Sequence, residues 1–174
     1  MTRGPTLTRL LAAVTVSLIS SSMGTLAQGI PQPTPNATAC AYLPIADLEA
    51  HFRTKAQNVR GLDQPTRNTC NVNFGSPLRA AMVERHAPTA ADQAMSAAQR
   101  LEIAKAAFKG ADTRDFGSVG CLHSIVDMGQ AVHSTTCFLA RSQYFALSVQ
   151  SPDAQQAGID AVKGLFDKTA ARRR

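Results

Sequence analysis

Hydrophobic and polar positions change period several times along the chain. Its first stretch is an uncharged apolar run, Leu10–Ile19, preceded by Arg3 and Arg9 and followed by small residues ending in Thr25-Leu26-Ala27. A basic start, a short apolar centre and a small-x-small end are the parts of a secretory signal peptide, and the run is shorter than the roughly 20 residues of a spanning helix. The pattern predicts a Sec-type signal over residues 1–27, cleaved after Ala27, and hence a periplasmic or secreted protein. The Pro-containing GIPQPTPNATA that follows has no periodicity, so residues 28–39 read as a flexible leader. A lipid anchor would need a cysteine directly after the apolar run, and the first one is Cys40.

From Pro44 the period becomes helical. Ile45, Leu48 and Phe52 recur at spacings of three and four, predicting a helix from Pro44 to Gln57 with Asp47, Glu49, Arg53 and Lys55 facing water. His51 lies beside that stripe without a second ligand at helical spacing and reads as a surface group. Gly61–Asn68 reads as a loop. Cys70, Val72 and Phe74 then alternate with Asn71 and Asn73, which is strand periodicity, and Gly75-Ser76-Pro77 supplies a turn. Leu78, Ala80 and Met82 are expected to face inward on the returning strand. Pro88-Thr89, with Thr89 as N-cap, opens a long helix to about Lys109 whose buried stripe is Ala91, Met95, Ala98, Leu101, Ala104 and Phe108.

The second β region starts within FGSVGCLHSIV and is clearest in Thr135–Ala140 and Tyr144–Val149, joined by an Arg141-Ser142-Gln143 tip. There Phe145, Leu147 and Val149 are expected inward and Tyr144, Ala146 and Ser148 outward. A last helix, capped by Ser151 with Pro152 in its first turn, docks through Ile159, Val162, Leu165 and Phe166. The order α-β-β-α-β-β(-β)-α predicts an α+β fold: an antiparallel sheet of four to five strands carrying three helices, in one domain over residues 40–171 with a basic tail at 172–174.

Of the +6 formal charge, two belong to Arg3 and Arg9 and three to Arg172–Arg174, which leaves the body at +1. A near-neutral body and a tail without an aromatic platform argue against nucleic acid as a partner. No segment after the signal is apolar enough to span a bilayer. Four cysteines in an exported chain predict two disulfides, and chain order with the hairpins favours Cys40–Cys70 and Cys121–Cys137.

The arrangement resembles small exported bacterial α+β domains of unknown function, the LpqN-type and PsbP-like secreted proteins. The likeness is carried by Cys40 ahead of the first helix with Cys70 in the first strand, and by the hairpin Cys137–Val149 followed by SPDAQQAGIDAVKGLF. The chain departs from it at Cys121 and in lacking the lipobox. The resemblance implies no catalytic residue.

The stretch GCLHSIVDMGQAVHSTTC, Gly120–Cys137, concentrates the candidate chemistry. Cys121, His123, His133 and Cys137 have the residue types of a zinc or copper site but no common spacing, and an oxidising compartment favours the disulfide. Ser124 and Ser134 adjoin His123 and His133 in sequence, so on a strand each pair points to opposite faces and makes no dyad. Gly117-Ser118-Val119-Gly120 fails the nucleophile-elbow pattern, and no phosphate loop, dinucleotide fingerprint or calcium loop occurs. The expectation is a non-catalytic, cofactor-free binding protein, of inhibitor or immunity type, that recognises another exported or envelope protein through the hairpin Thr135–Val149. Its candidate surface is His123, His133, Arg141 and Tyr144, with Tyr42 and Phe145 as further aromatic groups. The alternatives are a Cys/His metal-handling protein and a small hydrolase.

Overall fold

Seven strands pair into one antiparallel sheet among the described residues of the computed structural model, which are residues 34, 36–87, 95–108, 110–140 and 144–173. They are β1 (Asn58–Asp63), β2 (Arg67–Asn73), β3 (Ala80–His86), β4 (Asp112–Asp115), β5 (Val119–Asp127), β6 (Ala131–Ala140) and β7 (Tyr144–Ser151), in the spatial order β1-β2-β3-β7-β6-β5-β4. Helices α1 (Ile45–Phe52) and α3 (Ile159–Ala171) cover one face, and α2 (Ala97–Ala107) packs on part of the other. Among the described residues the α+β class with three α-helices and two disulfides stands, and the sheet has seven strands where four to five were expected. The signal segment, Pro88, Thr89, Ala91, Lys109 and Arg141–Gln143 lie outside the described residues.

The two strands not foreseen are β1 and β4. Gly61, read as part of a loop, sits inside β1 because the chain passes very close to it. A Cβ there would come within 2.5 Å of the Ala37 Cβ, 2.7 Å of the Cys40 Sγ and 2.7 Å of the Thr69 carbonyl oxygen. Thr34 exchanges two backbone hydrogen bonds of 2.8 Å with Gly61, and Ala37 and Ala39 are buried. Part of the expected flexible leader is thus built into the fold. The sequence of β4, Asp-Thr-Arg-Asp, has no apolar alternation because it is a short, exposed edge.

Cys70, Val72 and Phe74 point inward as expected, but on β3 the buried residues are Ala81 and Val83, not Leu78, Ala80 and Met82. The turn fixes that parity: Phe74 N–H donates to the Arg79 carbonyl, so the strand re-enters one residue out of step with the simple count. Phe145, Leu147 and Val149 are fully buried on the central strand β7, and Ala146 is buried too, beneath α2.

The helix ends differ from expectation. Arg53, in the left-handed region at φ 54°, stops α1 well before Gln57. The described part of the long helix starts at Ser96, whose hydroxyl accepts from Gln99 N–H while the Gln99 side chain accepts from Ser96 N–H, a complete capping box. Its buried residues are Ala97 and Leu101, whereas Ala98 and Phe108 are exposed. Ser151 ends β7 and bonds Asp153 N–H in a turn, and Gly158 is the N-cap of α3. Ile159, Val162, Leu165 and Phe166 dock as expected. Of the expected tail, Arg173 lies over the Phe145 ring, 5.3 Å from its centroid.

Candidate functional site

Strands β5 and β6 form a long hairpin folded about Gly129, which adopts φ 81°. Asp127 accepts the Gly129 N–H through its carboxylate at 3.0 Å, the Asx geometry that tightens such turns. The register pairs Cys121 with Cys137, His123 with Thr135, and Ile125 with His133. Both expected disulfides, Cys40–Cys70 and Cys121–Cys137, are present.

His123 and His133 share one sheet face on a diagonal of this ladder, beside the fully buried Thr135. The Thr135 hydroxyl donates a short hydrogen bond to the Ala157 carbonyl, in the loop before α3. His123 Nδ1 lies 2.7 Å from Thr135 Oγ1 and 3.2 Å from the Ala157 oxygen. Because the threonine proton is already committed and a carbonyl only accepts, His123 Nδ1 carries a hydrogen. Neutral His123 then presents a lone pair at Nε2, and His133 Nδ1 donates to it across 3.3 Å. The result is a one-way chain: His133, His123, Thr135, Ala157 carbonyl. The two ring planes lie within 19° and the centroids 5.4 Å apart. That separation exceeds the N···N distance by about two ring radii, so the rings meet edge to edge.

This geometry bears on the alternative chemistries. The disulfide withdraws both sulfurs from a Cys/His metal site, and no cluster of three or more metal-ligating side chains occurs among the described residues. The two facing imidazole nitrogens are in hydrogen-bond contact at 3.3 Å, and two imidazoles alone fall short of the three or four protein ligands that hold zinc. Ser124 and Ser134 pair with each other on the opposite face from the histidines, so neither forms a nucleophile–base pair with its neighbour.

Tyr144 does not join the histidines. It lies at the far end of β7 and on the other sheet face, stacked on His86 at 4.5 Å with Arg100 over its ring at 5.3 Å. Arg141 is outside the described residues. Tyr42 accepts a 3.1 Å hydrogen bond from Arg85 and packs edge-on against the buried Phe145, and His51 bonds the Gln156 carbonyl at 2.7 Å.

What the sequence reading missed is the outer end of β5. β4 pairs only with Gly120–His123, so among the described residues Ser124–Asp127 have a strand partner on one side alone. That open edge and its turn carry Ile125, Val126 and Met128, which are 63%, 41% and 59% exposed. The signal was available: Gly129 stands midway between Cys121 and Cys137, and folding the segment there sets the whole register.

Compared with family models, curated proteins and solved structures, the chain matches none.

Proposed function

We propose that this chain is a non-catalytic, exported binding protein that recognises another exported or envelope protein by accepting an extended segment along the outer edge of β5. The observation that carries this reading is that, among the described residues, Ser124–Asp127 have a strand partner on one side alone, with Ile125 and Val126 exposed. Exposed sheet edges are ordinarily blunted by charge, proline or a covering element, because their free N–H and C=O groups template a further strand. Here the edge bears apolar side chains, which suits strand addition: backbone hydrogen bonds give affinity and alternate side chains give specificity. The Cys121–Cys137 disulfide keeps the base of the hairpin in one register, so less order has to be imposed on binding. Two disulfides support export, since such bonds persist in oxidising compartments.

The test is affinity isolation from envelope and culture extracts with the wild-type protein and with Ile125→Asp/Val126→Asp. One stoichiometric partner, retained by wild type and lost by an equally stable variant, is the expected result. A partner held equally by both moves recognition to another surface, and no partner at low salt sinks the binding reading.

A further inference from the structure

We propose that the groove between α2 and the edge strand β4 binds a small organic cation with an apolar body, an alkyl- or arylammonium. This is a further site, on the sheet face that carries α2, and it does not depend on the β5 edge.

The groove follows from the side chains that α2 and β4 present to each other. Ala97 and Leu101 are the buried residues of α2, and Leu101 is seated over Gly120, where a Cβ would come within 3.0 Å of the leucine Cγ. Ala98 and Glu102 share a side of the helix with Leu101, at spacings of three, four and one, and they offer only a methyl group and a charged chain. The register of β4 on β5 decides which of its four residues face this gap. Asp115 pairs with Gly120, and Thr113 with Leu122, which packs against the α2 cluster, so those two lie on the α2 face. Successive strand residues alternate, and Arg114 accordingly lies on the other face, bound to Asp160 of α3.

A groove of about 660 Å³ results, with Met95, Ala98, Leu101 and Ile103 as its apolar lining and Glu102 and Asp115 as its charged groups. Small-molecule sites typically measure about 300–1,000 Å³ and combine a mainly apolar lining with a few polar groups that fix orientation.

Charge selects the ligand. Among the described residues no lysine or arginine lines this groove. Asp115 accepts the Gly117 N–H at 2.8 Å, and that donor is uncharged. Lys105 approaches Glu102 at 4.0 Å, but the two side chains are 53% and 75% exposed, and solvated pairs of this kind are weak enough to give way. Of the nearby cations, Arg114 is bound to Asp160 and Lys163 to Asp167, while Arg100 lines a groove on the opposite flank of α2. A neutral apolar ligand would use the lining alone, and an anion would meet two carboxylates. An apolar cation uses both features: its ammonium donates charge-assisted hydrogen bonds to Glu102 and Asp115, and its chain covers Leu101 and the 56% exposed Ile103.

The experiment is an NMR titration of the full, disulfide-intact protein at neutral pH and low salt with octylammonium, octanol and octanoate, each below its micellar range. Octylammonium should shift the Leu101 and Ile103 methyl signals and the Thr113–Asp115 amides and saturate. It should bind about tenfold tighter than octanol, the ratio expected of one charge-assisted hydrogen bond, with octanoate weakest. Glu102→Gln/Asp115→Asn should bring the cation to the octanol level without unfolding, since both side chains are exposed and the new amide oxygen can still accept from Gly117. Ala98→Phe, which fills the groove, should weaken binding of all three. The site is overturned by shifts that bypass α2 and β4, by equal affinity for the three probes, by a preference for the cation that survives the double variant, or by binding indifferent to Ala98→Phe. Each of these results leaves the partner experiment standing, and absence of a partner leaves this one unaffected.

Discussion

Cys121 and Cys137 stand directly opposite each other on β5 and β6, with Cα atoms 4.1 Å apart, two residues inward from His123 and Thr135. The bond spans 16 residues, a loop whose closure entropy corresponds to about 3 kcal/mol in the unfolded chain. Replacing both cysteines by alanine should lower unfolding free energy by about that amount in urea titrations. Six other facing pairs lie between this bond and the turn, so the variant should still form the hairpin. Loss of the β5–β6 amide protection at neutral pH would show instead that the bond is what sets the register.

Gly61 marks the other disulfide. Its backbone lies so close to Cys40 that a methyl group would collide with the sulfur, with Ala37 and with the Thr69 carbonyl. Neither a disulfide sulfur nor a strand carbonyl can swing aside. Gly61→Ala should therefore cost about 3 kcal/mol, the top of the range for overpacking. A melting temperature within a degree or two of wild type would mean that the Thr34–Ala39 segment lifts away cheaply.

How much of this could be read from the chain depends on which faces are buried. β2 and β7 were legible because each sets apolar groups inward at alternate positions, and α3 because Ile159, Val162, Leu165 and Phe166 fall on one helical stripe. β4 was not, since all four of its residues are polar, and β1 was hidden by a glycine that serves close approach and not a turn. The inward parity of β3 was set by hydrogen bonding within its preceding turn, which composition does not reveal. At Ser96 the local signal Ser-x-x-Gln was present but the upstream Pro-Thr drew the helix start away from it. His123 and His133 were legible as residues and not as a pair, because only the fold about Gly129 brings them together.

Glu49 provides a pH test away from the candidate site. Its carboxylate is held below the ordinary glutamate range, first by the 2.8 Å hydrogen bond from Lys55 and then by the Ala56 N–H at 3.0 Å. The folded state thus binds this proton less readily than the unfolded chain. The stabilisation it gives is present above the unfolded glutamate value of about 4.3 and is lost as pH falls through the lower folded value. Glu49→Gln should be less stable than wild type at neutral pH, with the difference closing in acid. A gap that persists at low pH would assign the effect to packing at the end of α1.

Thr135 ties the histidine chain to the core. It is fully buried, and its hydroxyl donates to the Ala157 carbonyl while accepting from His123 Nδ1. Thr135→Val keeps the shape and deletes both roles. The carbonyl would keep only the 3.2 Å approach of His123 Nδ1, and that N–H would lose its closer acceptor. The expected cost is about 1–3 kcal/mol, the penalty for stranding buried polar groups. The same change should unfix the His123 tautomer, because the committed threonine proton is what forces Nδ1 to donate at the shorter distance. Loss of stability without a change in the imidazole nitrogen spectrum would show that the Ala157 carbonyl alone orients the ring; a shift in both places the hydroxyl in command of it.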